Sequence, residues 1–182
     1  MTILILGLIL WVVPHLFKRL APDVRASLGD GPAKIGVSIA SILAIVLMVI
    51  GFRAADFVEV WHPPVFLTHI NNLLMLIAVY VFGLGFSRGV LRTRIRHPML
   101  TAVKTWAFAH LLVNGDLASI ILFGGLMAWA VVSIVLINRQ APAWVPPARG
   151  PVRNDIIYGA VALLVFGAIV FIHNWLGHWP LG

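Results

Sequence analysis

Long apolar runs, broken at short intervals by clusters of arginine, proline and glycine, set the pattern of this chain. A bilayer core of about 30 Å takes roughly 20 helical residues to cross, with about 17–25 tolerated. Six runs come close to that length: 2–17, 35–52, 67–86, 98–115, 117–137 and 156–176. The first is short. The fourth is the least apolar, because it holds Lys104, Trp106, His110 and Asn114. The pattern predicts an all-α polytopic membrane protein, a bundle of about six transmembrane helices forming one domain over residues 1–182.

The connections support that count. Loop one holds Lys18, Arg19, Arg25 and Lys34, and loop two holds only Arg53. Loop three holds Arg88, Arg92, Arg94 and Arg96. Loop four, Asn114-Gly115-Asp116, has no positive charge. Loop five holds Arg139, Arg149 and Arg153, and the C-terminal tail holds none. Strongly positive loops thus alternate with weakly charged ones. The positive-inside rule then predicts a multi-pass protein of the bacterial inner membrane, with loops one, three and five cytoplasmic and both termini periplasmic. Five or seven helices would break the alternation. Met1 to Phe17 is apolar and then meets Lys18-Arg19, the reverse of a secretory signal, so it reads as a retained first helix. Trp61, Trp144, Trp175 and Trp179 fall where headgroups would lie. Pro142, Pro146, Pro147 and Pro151 make loop five an extended connector.

Composition sharpens the class. The chain is 61% hydrophobic and 10% charged, against about 25% charged in soluble domains. So few charges cannot cover a water-facing surface, and the lipid bilayer becomes the first partner. The net charge of +7 is accounted for by loop residues that orient helices, so no nucleic-acid partner is implied. With no cysteine, disulfides, iron–sulfur clusters, Cys-based zinc sites and thioether-linked haem are excluded.

Polar side chains inside a membrane are costly and mark functional candidates. The informative ones are histidines. His15 lies near the inner end of the first run and His69 near the outer end of the third. His97 opens the fourth and His110 lies deep within it; His173 and His178 close the sixth, and His62 lies in loop two. Neutral imidazole is a common axial ligand of haem iron, and helical bundles present such ligands on facing helices. The plain alternative is a buried histidine bonded to a neighbouring helix. In the fourth run Pro98 suits the first helical position. Trp106 and His110, four apart, share a face, whereas Lys104 and His110 fall on opposite sides. Gly115 predicts a left-handed helix end and Asp116 a cap for the next helix. Depth along the helices puts His110 about 13 residues, roughly 20 Å, from the inner face. Depth alone pairs His15 with His97, or His69 with His110.

The stretch His97-Pro98-Met99-Leu100, then Trp106-Ala107-Phe108-Ala109-His110-Leu111-Leu112, then Asn114-Gly115-Asp116-Leu117-Ala118-Ser119 resembles the signature of the NnrU family. His15, followed by Arg25 and Gly29, fits the same family's first loop. The resemblance covers essentially the whole chain and is most specific in the fourth run. It implies a small bacterial inner-membrane protein linked to nitrite and nitric oxide reduction in denitrification. The plant and cyanobacterial 15-cis-zeta-carotene isomerases are similar to this family. They imply haem b as cofactor and isomerase-like chemistry on a lipid-soluble polyene as an activity. They also imply that His15 and His110 stand where the haem ligands stand. His69 and His97 are the reserve metal ligands, and Trp106 and Lys104, on the helix of His110, are the further cofactor-binding candidates. The implied partners are a lipid-soluble small molecule and respiratory or denitrification proteins.

Two other classes compete. A non-enzymatic accessory or assembly subunit of a respiratory complex needs no cofactor. Arg96-His97-Pro98-Met99 is similar to the Arg-His-Pro element of isoprenylcysteine-type methyltransferases. Leu100-Thr101 departs from that pattern, and the last two apolar runs hold no Asp or Glu.

Overall fold

The computed structural model describes residues 1–181. Seven α-helices follow one another: α1 (Thr2–Leu20), α2 (Pro22–Ser27), α3 (Asp30–Arg53), α4 (Leu67–Leu84), α5 (Pro98–Val113), α6 (Leu117–Gln140) and α7 (Val152–Trp175). A single 3-10 turn, Leu91–Arg94, lies between α4 and α5. Five helices are long and apolar enough to cross a membrane: α1, α3, α4, α6 and α7. The sixth expected span, α5, has 16 residues and rises about 24 Å, short of the bilayer core. It lies between α4 and α6. The architecture is that of a polytopic helical membrane protein.

The helices neighbour one another in the order α3–α1–α6–α5–α4–α7, with α3 also touching α6. This is an open arc. At one end α1 and α3 cross closely around Leu4, Leu8, Ala44 and Met48. A side chain at Gly7 would overlap Met48, and one at Gly51 would overlap the backbone of Leu4. Small residues let membrane helices approach where no hydrophobic force pulls them together. At the other end α7 rests on α4 and turns Ile156, Leu163, Leu164 and Phe171 outward. Only lipid or another apolar surface can cover these side chains.

Both ends of the bundle match the charge alternation. At one end the Arg19 guanidinium donates to Gln140 Oε1 (3.2 Å), and Gln140 Nε2 donates back to the Arg19 carbonyl (2.7 Å). Arg96 donates to the carbonyls of Ala141 and Pro142, and Asn154 Nδ2 to that of Arg88. Loops one, three and five therefore share one face. At the opposite end the N–H groups of Val60 and Trp61 donate to the Gly115 carbonyl (2.9 and 3.1 Å), and Leu117 N–H donates to Val58 (2.8 Å). Loops two and four share that face.

Three details differ from the sequence reading. The second run starts earlier, at Asp30, after a helix of 6 residues that periodicity is too short to reveal. Gly29, at φ 74°, turns the chain between α2 and α3. Arg25 is buried there, donating to the Gly29 carbonyl (3.3 Å) and facing Asp30 (3.5 Å). It staples a loop in which it was expected to act as an orienting charge. Gly115 is not left-handed: among the described residues only Gly29 and Gly177 have positive φ. Glycine is required at 115 because the Trp61 carbonyl occupies the space a Cβ would fill. Asp116 does cap α6, its carboxylate accepting from Ser119 N–H at 2.9 Å.

Candidate functional site

Three adjacent helices, α1, α6 and α5, carry two clusters built on one plan. On α1, His15 lies one turn after Trp11, and the two rings stack with centroids 4.2 Å apart. Trp129 of α6 meets both edge-on, 5.3 Å from Trp11 and 5.2 Å from His15. On α5, His110 lies one turn after Trp106, at 5.1 Å. Phe123 of α6 closes this second cluster, 5.2 Å from Trp106 and 4.5 Å from His110. Each flanking helix thus supplies Trp-x-x-x-His, and α6 supplies one aromatic ring to each. Four-residue spacing makes this possible, since side chains at i and i+4 lie one above the other.

The histidines share a hydrogen-bond arrangement. His15 Nδ1 donates to the Trp11 carbonyl (2.6 Å), and His110 Nδ1 to the Trp106 carbonyl (3.0 Å). A carbonyl only accepts, so the ring proton sits on Nδ1 in both. Nε2 keeps its lone pair and is the atom available to a ligand or metal.

The first cluster is starved of acceptors. The indole N–H groups of Trp11 and Trp129 are both buried and have no hydrogen-bond partner. An unmet buried donor costs about 1–3 kcal/mol, and two beside one histidine are a reason to look for an acceptor-bearing group there. The second cluster has a different neighbour. A cavity of about 420 Å³ lies between α4, α5 and α7, walled by Met75, Phe82, Val103, Trp106, Ile169 and His173. Trp106 belongs to both the cavity wall and the aromatic cluster. His173 donates from Nδ1 to the Ile169 carbonyl (2.8 Å).

The remaining candidates scatter. His97 opens α5, where its Nε2 is hydrogen-bonded to Asn138 Oδ1 at 2.8 Å. His69 is exposed in the first turn of α4. Lys104 is half-buried on α5 and belongs to neither cluster. His15 lies within α1, which continues past Lys18-Arg19 to Leu20. Its contact on α6, Trp129, is six residues from the contact of His110, Phe123. That is about 9 Å along the helix. Sequence reasoning missed Trp11, Trp129, Phe123 and the position of His173. The repeated Trp-x-x-x-His spacing was the signal available for Trp11. The two α6 aromatics carry no such signal in an apolar run. Among the described residues no group of three or more His, Cys, Asp or Glu could hold a metal ion, so any metal here relies on fewer protein ligands.

The family model for NnrU protein matches residues 3–180 of the chain. This chain belongs to the NnrU family. The match takes in both aromatic clusters, the Asn114-Gly115-Asp116 turn and the loop stapled by Arg25. No match was found among curated proteins or solved structures. Within this NnrU-family chain, His97-Pro98 starts α5 with proline at the position where a missing N–H costs nothing. Asn114 ends the same helix, its Nδ2 donating to the His110 carbonyl at 2.8 Å. The two ends of the helix that carries His110 are therefore set by His97-Pro98 and Asn114.

Proposed function

We propose that this NnrU-family protein binds haem b, with His15 and His110 as the axial ligands and the arginine-rich face toward the cytoplasm. The observation that carries this reading is the matched pair of Trp-x-x-x-His clusters on α6, each with Nδ1 tied to its own helix and Nε2 free. A metal-bound histidine usually donates its other ring nitrogen to a backbone carbonyl or carboxylate, which fixes the ring and raises its basicity. The donor set fits haem b. Two neutral imidazoles suit its iron, aromatic walls suit its macrocycle, and the two unmet indole donors suit a group carrying carboxylates. His97 is a weaker candidate because its Nε2 is already engaged, and His69 because it stands on the surface.

Bound haem would supply one-electron redox chemistry. The chain's own residues hold and orient it. Trp11 and Trp129 wall His15, Phe123 and Trp106 wall His110, and apolar helix surfaces exclude water. The cavity beside Trp106 gives a lipid-soluble small molecule a way toward His110 from the side of the bundle. We read the protein as a haem-dependent membrane component, linked by its family to nitrite and nitric oxide reduction. Isomerase-like chemistry on a polyene is the activity to test.

The test is the absorption spectrum of the purified protein, oxidised and then reduced with dithionite. A Soret band with sharp reduced α and β bands is expected. His15→Ala and His110→Ala lose it, while His69→Ala and His97→Ala keep it. A protein that stays colourless after haem is supplied would overturn the reading. It would favour an accessory subunit, for which the outward apolar face of α7 is the supporting observation.

A further inference from the structure

The arginine-rich face holds a feature that orienting charges alone do not require. Loops three and five are locked together on one base. The buried Asp155 carboxylate, in the first turn of α7, accepts from Val90 N–H (2.8 Å) and Leu91 N–H (3.3 Å). Thr93 Oγ1 donates to the Val90 carbonyl at 2.7 Å. A side chain at Gly150 would collide with the Arg88 carbonyl. From this base the arginines line two neighbouring cavities. The larger, about 520 Å³, is lined by Arg88, Arg92, Arg149 and Asn154. The smaller, about 240 Å³, is lined by Arg94 and again by Arg149. Among the described residues no carboxylate pairs with these guanidinium groups. The ion pairs present fall on Asp30 and Glu59, and Asp155 faces backbone N–H groups. Arg92 also edges a third cavity with an apolar floor of Gly85, Met99 and Leu100.

We propose that this face is a binding site for a phosphate-bearing anion, and that its occupant is the headgroup of an anionic phospholipid. Guanidinium groups match phosphate oxygens in pairs, and basic pockets at helix ends recognise anionic lipid headgroups. The choice of a lipid over free phosphate rests on Arg92. It joins the cationic cavity to an apolar one, as a headgroup joins to acyl chains.

The experiment uses the full chain in mild detergent and native mass spectrometry with dioleoyl phosphatidylglycerol or dioleoyl phosphatidylcholine added. Phosphatidylglycerol is expected to be retained at least about tenfold better, since two or more arginines act together. Arg149→Gln and Arg92→Gln should each weaken retention about fivefold. Arg139→Gln removes the same charge from the same face outside these cavities and should change retention less than about twofold. If Arg149→Gln does not fold, Arg94→Gln reads the same site from the smaller cavity. Equal retention of the two lipids would overturn the proposal. Equal losses in Arg149→Gln and Arg139→Gln would also overturn it, by assigning the effect to bulk charge. Inorganic phosphate that displaces phosphatidylglycerol at millimolar concentration would assign the site to a free anion.

Discussion

The two aromatic clusters on α6 use one local rule and arrive at different surroundings. Trp11, His15 and Trp129 form a cluster with two buried indole N–H groups and no acceptor for either. Trp106, His110 and Phe123 replace the second indole with a phenyl ring, and Trp106 also borders the cavity shared with His173. Local spacing fixes how each histidine is held, and tertiary position decides what it meets. The first cluster is left with two unmet donors, and the second borders a cavity.

The strongest way to break this comparison is to remove the imidazoles. On the proposed haem reading, His15→Ala and His110→Ala should each lower haem content more than about tenfold, because each would remove one of two proposed ligands. Retention in either variant, measured by pyridine haemochrome, would show that the clusters are not equivalent ligand carriers. Next come the α6 rings. Trp129→Ala and Phe123→Ala should each destabilise the protein by about 3–5 kcal/mol, the usual cost of emptying a buried aromatic site. Thermal unfolding in detergent checks this, and a loss confined to Trp129→Ala would make the first cluster the structural one. Gly115→Ala strikes only the end of the second cluster, where Trp61 blocks a Cβ. It should cost about 1–3 kcal/mol as overpacking, whereas Gly124→Ala, with open space around its Cβ, should be close to neutral. Asp116→Ala removes the α6 cap beside the same cluster, and should cost about 1 kcal/mol. The smallest effect is expected from Trp129→Phe. It deletes an unmet donor, so the haem-free protein should keep its stability or gain up to about 1 kcal/mol. A larger loss would show that this indole already has a partner.

Much of the fold was legible because apolar runs of membrane length and alternating loop charges answer to the bilayer, a uniform solvent. His110, Trp106 and the cap at Asp116 were legible for a related reason: their neighbours are local in sequence. Features that depend on distant chain segments were not. Gly115 looked like a helix terminator, and only the fold shows that the Trp61 carbonyl claims its space. Arg25 looked like one orienting charge among several, yet it is buried against Gly29 and Asp30. Trp129 and Phe123 are aromatic rings in a helix apolar on every side, so periodicity could not select them. His173 looked like a residue at a helix end, yet it lines a cavity with residues of α4 and α5.

Asp155 has a consequence for how the protein is made. Its carboxylate is synthesised 65 residues after the Val90 N–H group that donates to it, and it arrives with α7. Until then the arginine loop lacks its anchor and its backbone donors face water. The loop therefore closes only once α7 is in place, and before that it is an unlatched cationic segment.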